Sequence, residues 1–155
     1  MNIFNIVKKE LIVVLFSMLP IIELRGGIPL GISLGFTPIQ SFLLSILGNL
    51  IPIPFLIKLY RPIIRYIART KYFIKPASWV VKKVDDSSKK VKKYQMLGLF
   101  LLVAIPLPTT GAWTGSAVAA FLKLDFKKAW LIISLGVVTA GVIMLIFSYF
   151  GLIVL

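Results

Sequence analysis

Three long stretches of this chain carry no charged side chain: residues 28–57, 94–122 and 129–155. An apolar run of about 20 residues can cross the hydrocarbon of a bilayer as a helix. Only helices and closed barrels satisfy every backbone N–H and C=O there. Composition points the same way. Hydrophobic residues make up 59% of the chain and charged ones 15%, with a mean hydropathy of +0.98, against about 25% charged in soluble domains. The expected class is an all-α integral membrane protein, with residues 1–155 forming a single membrane domain.

Lysine and arginine number 18 against 5 acids, a net charge of +13. A basic excess of this size raises nucleic acid as a partner, but its placement argues against one. Twelve of the basic residues fall between Lys58 and Lys93, offset only by Asp85 and Asp86. They cap apolar runs, as basic loops facing anionic cytoplasmic lipid do, so membrane lipids and no nucleic acid are the expected contacts. Lys58, Arg61, Arg65 and Arg69 recur at helical spacing, with Ile57, Ile63, Ile64 and Ile67 on other faces. That arrangement predicts an amphipathic helix at the lipid head groups, or a gathering site for an anionic lipid. Residues 85–88 read as a solvated turn.

The apolar runs are interrupted. Residues 11–22 are too few for a span, and no small-residue cleavage site follows to make them a signal peptide. Residues 28–57 exceed one span and fall short of two, with a break at Gly35-Phe36-Thr37-Pro38. There Thr37 can cap a helix that has Pro38 first and Gln40 three residues past the cap, predicting a span over 38–57. The preceding segment reads as two half-membrane arms around a breaker-rich tip at 20–29, a re-entrant hairpin. The second half repeats the plan, with an arm over 96–105, a tip over 106–115, a return over 116–122 and a long helix from Phe126 capped by Asp125.

The expected fold is therefore an inverted repeat of two re-entrant helical hairpins, each followed by a transmembrane helix. Repeat 1 covers 1–57, a basic cytoplasmic amphipathic connector 58–95, and repeat 2 covers 96–155. Inverted repeats with broken helices are a transporter layout. A cytoplasmic connector places Lys123, Lys127 and Lys128 inside and the 36–38 turn outside, in keeping with the positive-inside rule, although Lys8 and Lys9 then face outward. Four plain, kinked spans are the alternative.

The chain has no histidine and no cysteine, which removes imidazole acid–base work, thiol nucleophiles and ordinary zinc or iron–sulfur ligation. No metal or cofactor is expected, and no enzymatic activity. Gly31-Ile-Ser-Leu-Gly35 matches a hydrolase nucleophile elbow, but that motif needs a strand–turn–helix setting and a histidine partner. Gly31 and Gly35 read instead as a small-residue helix contact.

Glu23 and Arg25 are the only charges between Glu10 and Lys58, and intramembrane charges mark functional sites by default. Glu23 would exchange a proton, with low polarity and Arg25 acting on it in opposite senses. Arg25 offers a planar donor fork for phosphate or carboxylate. Gly26 and Gly27 would let the backbone turn and bring amides to a ligand, next to Pro29. The competing reading is an ion pair that only holds the tip. In the second tip Thr109, Thr110 and Trp113 supply hydroxyls and an indole N–H around Gly111, and Pro106 and Pro108 free carbonyls suited to an ion or head group. A plain kink with threonines bonded to their own backbone is the alternative there. Asn49, with Pro52 and Pro54, is a lesser polar spot that reads as interhelical packing.

The segment Glu23-Leu-Arg-Gly-Gly-Ile-Pro29, taken with Pro106-Leu-Pro-Thr-Thr-Gly-Ala-Trp-Thr-Gly115, resembles the small multidrug export family, itself similar to the wider DedA/VTT membrane proteins. The resemblance implies two re-entrant hairpins and a role in moving amphipathic molecules, polyprenyl-phosphate lipids or phospholipids among them. By position, it makes Glu23 and Arg25 the functional acid and its basic partner, and Pro106, Pro108, Gly111 and Trp113 the second tip.

The leading expectation is a small transporter or lipid flippase that moves an anionic lipid or other amphipathic substrate between the tips, coupled to protons. Proton-coupled drug export and a non-transporting membrane scaffold are the alternatives. Four embedded elements are too few to seal a pathway alone, so a homodimer is expected.

Overall fold

The computed structural model of the chain describes residues 3–68, 89–107 and 109–154. Arg69, Pro108 and residues 85–88, named above, lie outside them, as does the side chain of Arg65. Seven helices are described: α1 (Ile3–Ser17), α2 (Glu23–Ser33), α3 (Pro38–Leu50), α4 (Ile53–Ala68), α5 (Lys89–Ala104), α6 (Ala112–Phe121) and α7 (Phe126–Val154). No strand is found among the described residues.

Capping chemistry sets where α3 and α7 begin. Thr37 accepts from the Gln40 N–H at 3.3 Å while the Gln40 side chain accepts from the Thr37 N–H at 3.0 Å, a reciprocal capping box with Pro38 at the first turn. The Asp125 carboxylate accepts from the Lys128 N–H at 3.2 Å at the start of α7. The elements before these caps also end alike. Gly35 at φ 93° and Lys123 at φ 51° each close a helix in the left-handed region. Phe36 N–H reaches Gly31 O and Leu124 N–H reaches Ala119 O, the six-residue closure of a Schellman turn. Gly27 and Gly115, Gly35 and Lys123, Thr37 and Asp125, and Gly48 and Gly136 all share one offset in residue number.

The helices α1, α2 and α3 pack on one another through small residues. A Cβ at Gly27 would strike Ser17 and Ser45, one at Gly31 would strike Ser41, and one at Gly48 would strike the Val14 carbonyl. These contacts, with Lys9 Nζ donating to Leu34 O at 3.0 Å, run α2 antiparallel to both α1 and α3. The small-residue contact expected of Gly31 and Gly35 is corrected to Gly27 and Gly31, because Gly35 is spent on ending the helix and nothing lies near its Cβ direction. In the second half Val103 of α5 fills the notches left by Gly115 and Gly136. Leu24, Ile28, Ile53, Ile57, Leu99, Ile133 and Val137 join the halves in one buried core.

The helix predicted over 38–57 lies within a longer span that is interrupted once. It breaks at Ile51–Pro52, where Pro52 and Pro54 have no N–H to give, and α4 carries on through the basic stretch to Ala68. Taken together, Pro38–Ile64 and Phe126–Phe150 are long and apolar enough to cross a membrane, at 27 and 25 residues. The polarity of α3 is inside out. Ser41, Ser45 and Asn49 are fully buried while Ile39, Leu43 and Leu47 lie exposed. Large apolar side chains on the outside and polar ones within are what a lipid solvent selects, and the chain is a membrane protein.

Candidate functional site

Two breaks in helical structure meet in the fold. The first, residues 18–22, separates α1 from α2; the second, residues 105–111, separates α5 from α6. Both are shorter than predicted. Gly26, Gly27 and Pro29 belong to α2 and not to a tip, and the Gly26 N–H is bonded to Ile22 O. The expectation that these glycines turn the chain and free amides for a ligand is thus overturned, and Gly27 serves close helix packing instead. Pro29 is exposed on α2, away from the buried face.

Glu23 opens α2 at φ 49°, left-handed for a residue with a side chain. Such a conformation costs about 1–3 kcal/mol and is retained where surrounding structure imposes it. The residue is 4% exposed, and its carboxylate points at the start of α6. The Trp113 N–H donates to Glu23 Oε1 at 3.3 Å. A carboxylate from one half thus occupies the positive N-terminus of a helix in the other, worth up to about 2 kcal/mol when partly buried. Gly111, at φ 133°, makes room for it, since a Cβ there would overlap both carboxylate oxygens. The Trp113 indole N–H donates across the same junction to Met18 O at 3.1 Å.

Arg25 turns to the other break. Its guanidinium donates to Leu107 O and to Thr110 Oγ1, the latter at 2.9 Å. Thr110 Oγ1 in turn lies 2.9 Å from both Ile105 O and Leu107 O. The carbonyls freed around Pro106 are therefore occupied by Arg25 and Thr110, which corrects their reading as open ligands for an ion. Thr109, at φ 72°, holds Thr114 Oγ1 through its carbonyl at 2.7 Å. Glu23 and Arg25 are directed to different groups of the second break, and each joins the two halves.

Two spaces flank the pair. Glu23, Arg25, Asn49, Gly111, Val137 and Ala140 border a tight one too small for water. Asn49 faces the carboxylate there, its amide turned toward Glu23. A second, open cleft of about 420 Å³ lies on the far side of Arg25, walled by Thr109, Thr110, Trp113, Thr114 and Tyr60. One cationic fork, several hydroxyls and two aromatic rings in one wall suit an amphipath with an anionic group.

Lys58 and Arg61 are not both free for lipid. Arg61 donates to Leu124 O at 2.6 Å, and the Lys58 ammonium lies 5.4 Å from the centre of the Phe126 ring. Both tie α4 to the turn between α6 and α7. Asn49, ranked low from sequence, stands at the site itself. Ser41 and Ser45 are buried with it, and their spacing to Asn49 places all three on one helical face.

Fold and site together define a helical membrane protein whose two halves are joined through a buried polar junction. Residues 23–143 match the family model described as "Putative small multi-drug export protein". The chain belongs to that family, a family of small membrane transporters. No curated protein and no solved structure matches it.

Proposed function

We propose that the protein is a small multi-pass transporter that moves an anionic lipid or another amphipath past the junction of the two breaks, coupled to proton exchange at Glu23. The carrying observation is the cleft beside Arg25, which sets a guanidinium, threonine hydroxyls and the Trp113 and Tyr60 rings around one space. Substrate's anionic group competes for Arg25 with Leu107 O and Thr110 Oγ1, and the rings hold its apolar part.

In this reading the two halves are inverted repeats, each a re-entrant hairpin and a spanning helix. The shared offset of their caps, terminal turns and packing glycines supports it. Repeat 1 is 1–57, the connector 58–95 is cytoplasmic, and repeat 2 is 96–155, all one domain in the cell membrane. Lys58, Arg61, Arg65 and Arg69 border the head groups. The protein acts as a homodimer, with no nucleic-acid partner, no cofactor and no enzymatic step. The likeness of its motifs to DedA/VTT proteins favours lipid as cargo.

The family description favours a second reading, proton-coupled export of lipophilic cations. Arg25 beside the acid disfavours a cationic substrate, since like charges repel. Reconstitution into liposomes separates the two. A dansylated polyprenyl phosphate and a fluorescent phosphatidylcholine test the first, and ethidium tests the second. The proposal expects transport of the phosphorylated lipid, lost in Arg25→Gln and Glu23→Gln. Movement of ethidium alone, or full activity in both variants, would sink it.

A further inference from the structure

The turn between α6 and α7 carries three lysines at positions where a lysine costs stability. Lys123 adopts φ 51°, a left-handed conformation that glycine takes freely and a side chain resists. Lys127 and Lys128 stand in the first turn of α7, where the helix dipole favours anions and disfavours cations. The matching turn of the first half shows that the fold asks for none of them. There Gly35 closes the helix, and Ile39 and Gln40 occupy the first turn of α3. A cation that reaches that turn, Lys9, is taken up by Leu34 O. Lys123, Lys127 and Lys128 are all exposed, and their ammonium groups meet no acid or carbonyl among the described residues. The one acid of the turn, Asp125, gives its carboxylate to the Lys128 backbone N–H. Two more cations arrive from α4. Arg61 donates to Leu124 O at 2.6 Å, and the Lys58 ammonium stands 5.4 Å from the centre of the Phe126 ring. Five cations from two distant parts of the chain thus gather at one turn. Trp130 and Leu131, three and four residues past Lys127 and so on its face of α7, are exposed large apolar side chains.

We propose that the α6–α7 turn and α4 together form a binding site for an anionic phospholipid, separate from the Arg25 cleft and independent of what that cleft carries. Lysine ammonium groups hold phosphate as point charges, and Lys58, Lys123, Lys127 and Lys128 supply them. The acyl chains run along Trp130 and Leu131, where α7 leaves the interface for the hydrocarbon and an exposed tryptophan is at home. Arg61 is a positioning residue: its bond to Leu124 O sets α4 beside the turn. Orienting a chain in a bilayer needs positive charge on one side only. It does not need a lysine in a left-handed turn, or two at the positive end of a helix dipole. Local rules broken together at one place mark a functional position. A phosphate bound there supplies the anion that the start of α7 favours and that Asp125 alone provides in its absence. Because the headgroup touches both α4 and the turn, the lipid also ties the connector to the second half.

Thermal unfolding in maltoside micelles reads occupancy of the site. The wild-type protein should melt about 4 °C higher, saturably, as phosphatidylglycerol is added. Phosphatidylcholine and inorganic phosphate should leave the midpoint in place. The combination of Lys123→Gly, Lys127→Gln and Lys128→Gln should melt no lower than wild type without anionic lipid, yet lose the phosphatidylglycerol shift. Taking the same charge from the connector, as Lys82→Gln, Lys83→Gln and Lys90→Gln, should keep it. The site is overturned if the wild type shows no shift, if inorganic phosphate gives the same one, if the turn variant retains it, or if the connector variant loses it too. A second readout needs no turn variant. Phosphatidylglycerol brominated in its acyl chains should quench the fluorescence component that Trp130→Phe removes about fivefold more than brominated phosphatidylcholine at the same fraction. Equal quenching by the two lipids overturns the site whatever the melting shows.

Discussion

The break before α2 leads straight into Glu23 and Arg25 in that helix's first turn, whereas the break before α6 brings no charge and supplies amides, carbonyls, Thr110 and Gly111. Glu23 and Gly111 stand at the same offset that relates the caps and terminal turns of the two halves. They also touch. The same position thus holds an acid in a left-handed backbone in one half, and in the other a glycine whose missing side chain receives that acid. Two matched breaks have divided the labour: one brings charge, the other backbone polarity to satisfy it. Charged groups buried in apolar surroundings need such partners, and a break in a helix exposes them without any further charge.

Altering the receiving side should have the largest effect. Gly111→Ala forces a Cβ into the Glu23 carboxylate and strains a φ of 133°. Loss of stability on the order of 3 kcal/mol is expected from strain and overpacking together, read as thermal unfolding in detergent. A wild-type melting temperature would show that the junction yields freely and that the division of labour is not structural.

Arg25→Lys comes next. A lysine keeps the charge but not the fork that spans Leu107 O and Thr110 Oγ1. A loss of about 1–3 kcal/mol follows from the charge-assisted hydrogen bonds given up, although Leu107 O keeps the Thr110 N–H and hydroxyl, with transport of the phosphorylated lipid reduced more than stability. Should the Arg25→Lys variant sustain full transport, the planar fork is irrelevant and only charge matters at this break.

The packing seams give a third contrast. Gly27 of α2 meets two serines, Ser17 of α1 and Ser45 of α3, while Gly115 meets mainly one methyl of Val103. Gly27→Ala should therefore destabilise by about 1–3 kcal/mol and Gly115→Ala by less, because a single side chain can shift more easily than two buried ones. Chemical denaturation of both variants in mixed micelles checks the order, and the reverse order would place the tighter seam in the second half.

Much of this architecture could be read from the chain. Thr37-Pro38-Ile39-Gln40 states its own capping box, and Asp125 states its cap, because both act within one turn. Glu23 and Arg25 stood out as isolated charges. Their partners did not. That Glu23 would meet the Trp113 N–H and Gly111, and Arg25 the Leu107 carbonyl, depends on contacts between segments far apart in sequence. Gly26-Gly27 misled because glycine serves a turn and a close helix contact equally well, and only the neighbouring Ser17 and Ser45 decide between them. Asn49 beside Pro52 and Pro54 reads as a weak stretch with a polar spot, whereas its spacing from Ser41 and Ser45 marks a polar face.

The smallest predicted effects lie at the two terminal turns, which share a backbone but not a residue. Gly35 adopts φ 93° and Lys123 φ 51°, each ending a helix before a capped start. Nothing lies within 4 Å of a Cβ at Gly35, so Gly35→Ala tests conformation without collision and should cost about 1 kcal/mol. Lys123→Gly relieves the same strain in the other half, and the glycine's greater freedom in the unfolded chain offsets part of that gain. A net rise of roughly 0.5 kcal/mol is expected from these two terms, visible as a shift in the denaturation midpoint. If Lys123→Gly instead destabilises, the lysine holds its turn by something beyond backbone geometry, and the first half's glycine would be the better solution only where no cation is wanted.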